Sequence, residues 1–263
     1  MSAMKKNALM LLCLLSLTGT LAQAADDEDA TLSRPDIIRS VDFLPEPPAN
    51  DSADFARERE IYRQTRAEKG SKRWQQARFD ADVSLDKNAG AWFEDAFGMT
   101  ISKKGTPALY ELMLVFIRAQ HEAVRSAKRH YQRERPYVYY QTENETCAPG
   151  DEESHRHNGS YPSGHATMGW GMTLILAEIT PEAQAAILKC GYEIGQSRVI
   201  CGFHWQSDVE AGRMVGAAVV AQLYGHREFS QQMEKAKMEI AAIQAKNTDS
   251  RCNNRLACCR RVP

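Results

Sequence analysis

Beyond its first 24 residues the chain has no long hydrophobic run, no internal repeat, no low-complexity linker and almost no net charge. Without a later apolar stretch of about 20 residues, nothing after the N-terminus is expected to span a membrane as a helix. Without a repeat or a linker, one domain is expected. Nor does any stretch alternate polar and apolar residues in the way a half-buried strand does. The N-terminus differs. Lys5 and Lys6 precede the apolar run from Ala8 to Leu17, and Ala22-Gln23-Ala24 supplies a small-x-small cleavage pattern. This reads as a secretory signal peptide over residues 1–24, because the run is too short for a retained anchor. Bulky Leu12 before Cys13 argues against a lipoprotein site. Removing the signal takes two lysines away and leaves 31 basic against 34 acidic residues. That balance gives no reason to expect nucleic acid or an anionic membrane as a partner.

The remaining length suits one domain. Residues 25–50 are acidic and then proline-rich, so they are expected to be extended. Helical periodicity takes over across 51–247, and residues 248–263 form a cysteine-rich tail. Expected helices cover Asp51 to Arg66, Ser71 to Ala81, Pro107 to about Arg133, Ser163 to Ile179, Pro181 to Val199, Ser207 to Gly225 and Glu228 to Lys246. The longest carries Leu109, Leu112, Phe116, Ala119, Ala123 and Ala127 at three- and four-residue steps, an apolar stripe on one face. Pro136 is expected to close it, residues 137–161 to form a polar loop, and Ser207 with Glu210 to make a capping box. The expected fold is all-α, a single helical bundle with the long helix buried among the others.

Six cysteines follow the signal: Cys147, Cys190, Cys201, Cys252, Cys258 and Cys259. An even number in an exported chain points to disulfides, although six allow fifteen pairings. The spacing of the tail cysteines fits no common zinc pattern.

Three segments place polar residues where packing alone would not. Lys128 and Arg135 are seven apart, so both can reach one point near a helix end; an ordinary basic helix terminus reads the same way. Gly159 to His165 leads into a helix whose first amides, around Ser163 and Gly164, can meet an anion, although Ser163 can equally be a plain N-cap. Arg198 continues the inward stripe of Ile187, Gly191 and Ile194, where a cation needs a buried anion or carboxylate. His204 and Asp208 are four apart, so the carboxylate can fix one imidazole nitrogen and free the other. A purely structural His–Asp pair fits that spacing too. Together the three segments hold three cations, a helix N-terminus, two histidines and few carboxylates. This inventory suits phosphoryl transfer better than metal chemistry.

The order Lys128-x6-Arg135-Pro136, Pro162-Ser163-Gly164-His165 and Ser197-Arg198-x5-His204-x3-Asp208 resembles the three-part signature of the type 2 phosphatidic acid phosphatase and vanadium haloperoxidase superfamily. Phe43-Leu44-Pro45, Asp80-Ala81-Asp82-Val83-Ser84 and Gly195 to Gly202 carry the likeness toward bacterial class A non-specific acid phosphatases, over about residues 41–240. The resemblance implies an acid phosphatase that hydrolyses small phosphomonoesters through a phosphohistidine, and leaves open whether an alcohol can replace water as a phosphotransferase acceptor. His204 would be the nucleophile, Asp208 its orienting carboxylate, and His165 the acid and then the base. Lys128, Arg135, Arg198, Ser163 and Gly164 would hold the phosphate. It further implies no metal or other cofactor, inhibition by vanadate or phosphate, a periplasmic location, a homodimer and a Cys147–Cys201 disulfide. Two alternatives share the inventory: a vanadate-dependent haloperoxidase, and a phosphate-binding protein without chemistry. The superfamily's lipid phosphatases are membrane-embedded, which this chain is not expected to be.

Overall fold

Ser52, Ser71 and Ser163 take extended backbone angles, and each accepts a hydrogen bond from the amide three residues on, at Phe55, Trp74 and Ala166. Three helices therefore begin where a serine side chain satisfies an amide that has no partner inside the helix. The structure, a computed structural model, describes residues 37–142 and 144–259, with side chains described through residue 247. The expected signal peptide, the start of the 25–50 segment and the side chains of the tail cysteines lie outside the described residues.

The helices are α1 (Ala53–Thr65), α2 (Lys72–Phe79), α3 (Asn88–Ala91), α4 (Glu94–Phe97), α5 (Pro107–Tyr131), α6 (Pro136–Tyr139), α7 (Glu152–Arg156), α8 (Gly164–Ile179), α9 (Gln184–Cys201), α10 (Gln206–Tyr224) and α11 (Arg227–Cys259). Among the described residues there is no strand, and the fold is all-α as expected. No described helix is long and apolar enough to cross a membrane.

The stripe expected on α5 is buried at all six positions, but Glu111, Arg118 and Glu122 on its other face are exposed. The helix at the centre is instead α8, most of which is buried, packed between α9 and α10 and against α5. Two glycines of α10 let its backbone approach that of α8. A Cβ on Gly212 would lie 2.6 Å from the Ser163 carbonyl oxygen, and one on Gly216 would lie 2.6 Å from that of Thr167. This contact lets the Ser163 amide donate to the Asp208 carbonyl oxygen at 2.8 Å, which brings two of the sequence motifs together.

Several boundaries differ from expectation. α5 ends at Tyr131, before Pro136 acts, because Gln132 turns left-handed (φ 45°) and its amide caps Lys128. Pro136 opens α6 rather than closing a helix, since a missing N–H costs nothing in a first turn. The expected polar loop thus holds two short helices, α6 and α7. Ser207 is not a cap. Trp205 is the N-cap of α10, and its amide donates to the Asp208 carboxylate at 2.8 Å. Pro181–Ala183 is a 3-10 turn ahead of α9, and the backbone of α11 stays helical past Lys246.

Cys147 and Cys201 form the disulfide that the resemblance implies, with Cα atoms 4.7 Å apart. It ties the 137–161 segment to the end of α9. There Gly202 (φ 88°) takes the left-handed turn that glycine adopts without a Cβ clash. The turn folds the chain back so that the amides of Phe203 and His204 both donate to the Arg198 carbonyl oxygen. Cys190 forms no disulfide among the described residues; its thiol donates to the Trp92 carbonyl oxygen.

Candidate active site

The end of α5, the start of α8 and the α9–α10 turn meet at one cavity of about 620 Å³. Lys128, Arg135, Gly164, His165 and His204 line it. Arg198 and Asp208 are buried behind that surface, and Ser163 is fully buried. The structure thus gathers the three motifs at one place, with Ser163 serving as the N-cap of α8 through its side-chain oxygen.

His204 is held at both ring nitrogens. Nδ1 lies 3.3 Å from the Asp208 carboxylate, and Nε2 lies 3.2 Å from Nη1 of Arg135. An arginine can only donate, so Nε2 is the acceptor and the ring proton sits on Nδ1, toward Asp208. This neutral tautomer is favoured strongly: burial, then the charges of Arg135, Lys128 and Arg198, push the imidazole well below its usual range. A neutral ring with a lone pair on Nε2 is the form that can attack an electrophile.

The cations are buried and lack anionic partners. Lys128, Arg135 and Arg198 are 9, 2 and 2% exposed, and among the described residues none of them forms an ion pair. Lys128 donates to the Gly159 carbonyl oxygen at 2.5 Å. Arg135 donates to the carbonyl oxygens of His155, Asn158 and Phe203, each at 3.1 Å. Nε of Arg198 has no hydrogen-bond partner among the described residues, and its guanidinium lies over the Phe203 ring, 4.8 Å from the centroid. Burial lowers Arg135 to about 10, and burial with the Arg135 charge lowers Arg198 to about 9. Lys128 is pushed well down by burial and then by Arg135. Carbonyl dipoles alone do not offset the desolvation of three positive charges. The cavity is built to be completed by an anion.

His165, in the first turn of α8, is held differently. Its Nε2–H donates to the Ala81 carbonyl oxygen at 2.9 Å, and no side chain among the described residues fixes the other nitrogen. Burial, followed by the Arg198 charge, pushes this imidazole well below its usual range. The protein alone therefore favours the neutral ring, whereas donation to a leaving group needs it charged. A bound anion opposes the Arg198 charge and raises the imidazole back toward protonation.

Two residues that hold the site were not singled out from the sequence. Arg133, read as one of several cations at a helix end, bridges two carboxylates: Nη1 donates to Asp208 at 2.6 Å and Nη2 to Glu58 at 2.5 Å. Glu58, on α1, also accepts from the Ser207 amide at 2.7 Å. All three charged side chains are buried. Each carboxylate oxygen of Asp208 is thereby committed, one to Arg133 and the other to His204 and the Trp205 amide. No local pattern marks the Glu58–Arg133 pair, because its members lie 75 residues apart and look like ordinary surface charges.

A buried histidine facing cations without anionic partners, on a helical scaffold, can hold an anion such as phosphate against a nucleophilic nitrogen. Comparison with known proteins agrees. Residues 109–230 match the PAP2 superfamily. The non-specific acid phosphatase of Providencia stuartii is 44% identical over 207 residues, covering 78% of this chain and 82% of the relative. That of Salmonella typhimurium is 42% identical, covering 77 and 80%. The acid phosphatase of Zymomonas mobilis is 37% identical, covering 75 and 74%. The chain belongs to the PAP2 superfamily and, within it, to the non-specific acid phosphatases. It is a phosphatase, and the reading as a binding protein without chemistry is set aside.

Proposed function

We propose that this phosphatase hydrolyses small phosphomonoesters by way of a phosphohistidine on His204. The supporting observation is the pair of contacts that hold the His204 ring, Nδ1 to Asp208 and Nε2 to Arg135, among three cations that have no anionic partner among the described residues. An ester phosphate enters the cradle of Lys128, Arg135 and Arg198, and the Gly164 amide and Ser163 hydroxyl complete the contacts at the start of α8. Nε2 of His204 attacks phosphorus in line, the ester P–O bond breaks, and His165 donates its proton to the departing alkoxide. Asp208 stabilises the ring as positive charge develops on it. Neutral His165 then takes a proton from water as that water attacks phosphorus and the P–N bond breaks. An alcohol in place of water gives phosphoryl transfer by the same path.

The charge is supplied by side chains, so the reaction requires no metal, and phosphate or vanadate competes for the cradle. Export to the periplasm follows from the leader-like N-terminus and is consistent with the Cys147–Cys201 disulfide. A homodimer is the assembly expected of such an enzyme. The test is p-nitrophenyl phosphate hydrolysis in EDTA near pH 6, with wild type and His204→Ala, followed by labelling with ³²P-ester quenched in alkaline detergent. Turnover, vanadate inhibition and base-stable, acid-labile label on wild type alone are expected. Activity abolished by EDTA, or retained by the variant, would disprove the mechanism.

A further inference from the structure

The cavity does not end at the phosphate cradle. It runs back along α5, where Gln120, His121 and Val124 line it with Val83 and Met168. Gln120, Val124 and Lys128 are spaced four apart and share one helix face. At 1.5 Å per residue Gln120 lies about 12 Å along the axis from Lys128. Both side chains lean toward the helix N-terminus, so the separation carries over to their tips.

Gln120 is 1% exposed, and its Oε1 accepts no hydrogen bond among the described residues. A buried amide oxygen without a donor destabilises the folded chain, and an apolar residue of equal length would not. The buried positions around it on α5 are Phe116, Ala119, Ala123 and Val124, the composition of an ordinary core. Gln120 is thus a polar group kept where packing favours a hydrophobe, on the wall of the cavity that takes the substrate.

We propose that Gln120, flanked by Val124 and Met168, forms a leaving-group subsite whose amide oxygen accepts a hydrogen bond from a hydroxyl or N–H on a ring-bearing alcohol of the sugar or nucleoside kind. The subsite rests on the phosphomonoesterase reading above and adds the residue that sorts one alcohol from another. Val83, Val124 and Met168 supply apolar surface for the ring, and one buried acceptor sets its orientation. The distance from Lys128 matches an alcohol larger than a short alkyl chain. A donor on that alcohol satisfies Gln120 only when the ester is bound, so the cost of the unpaired oxygen becomes selectivity.

The variant to make is Gln120→Met, which keeps length and removes the acceptor. Adenosine 5′-monophosphate and phenyl phosphate are the probes: both carry a phosphate and a ring, but only the first carries donors. We expect kcat/KM for the nucleotide to fall about tenfold, chiefly through KM. Phenyl phosphate turnover and inhibition by inorganic phosphate should stay within about twofold of wild type. The thermal midpoint should hold or rise. Equal losses on both esters, no loss on either, or a lowered midpoint would show a structural glutamine and overturn the proposal. Wild-type turnover of phenyl phosphate judges the phosphatase reading separately. If that turnover is absent, calorimetric binding of the nucleotide to wild type and variant judges the subsite by the same tenfold criterion.

Discussion

The two histidines face one cavity, yet the regions that hold them are built on opposite principles. At the α9–α10 turn, His204 ends a buried chain of charges running from Glu58 through Arg133 to Asp208, and side chains fix both of its nitrogens. At the start of α8, His165 is held by one backbone carbonyl from the segment after α2. The first arrangement suits a nucleophile, which needs one tautomer and one direction. The second suits a group that must gain and lose a proton in each cycle, because a carbonyl accepts from the ring in either state. Rigid charge pairing and a single backbone contact are therefore different solutions for the same side chain.

That contrast can be broken most forcefully at His204. His204→Ala should lower kcat by about 10⁴-fold or more on every ester, whatever its leaving group. His165→Ala should separate substrates: about 10²- to 10⁴-fold loss on an alkyl phosphate, whose alkoxide needs a proton, and much less on p-nitrophenyl phosphate. Equal losses on the two esters would remove the proton-transfer role of His165. Next in size is the charge chain. Arg133→Met leaves Glu58 and Asp208 buried without a cation, so the folded state should lose about 3–5 kcal/mol in denaturant titration. A stability close to wild type would mean that the chain does not hold the α9–α10 turn.

The smallest effects concern pH. Burial depresses His121, His155, His165 and His204 in the folded protein. The unfolded chain then binds protons that the folded chain refuses. Stability should be full above about pH 6.5 and decline as pH falls below it. Saturating phosphate should reduce that decline, because an anion raises the two site histidines, and thermal midpoints at pH 7.5, 6 and 5 with and without phosphate would check this. Activity should run the other way. Protonation of His165 favours turnover in the acid-to-neutral range, and alkaline pH should remove it, so a flat kcat profile through pH 9 would contradict the assignment.

Much of this was legible without coordinates, and the reasons are local. The α5 stripe follows from three- and four-residue steps. Ser163, open to a reading as a plain N-cap, does cap α8 through its side-chain oxygen, a contact made within one turn. What misled was also local. Pro136 looked like a helix stop, but Gln132 had already ended α5 through a left-handed turn that few non-glycine residues take. Ser207 and Glu210 matched a capping pattern, while the actual cap lies two residues earlier and uses Asp208, the residue that also orients His204.

The sequence by itself determined the helical class, the family and the three segments that meet at the cavity, because periodicity and motif spacing act over a few turns of one chain segment. Tertiary structure alone decided that α8 rather than α5 is the central helix, since burial depends on what packs against every face. It alone decided that Arg133 and Glu58 support Asp208, that Lys128, Arg135 and Arg198 are left without carboxylates, and that Gln120 keeps an unpaired oxygen in the cavity wall. Each of these is a statement about desolvation and partnership between groups far apart in the chain, and neither quantity exists until the helices meet.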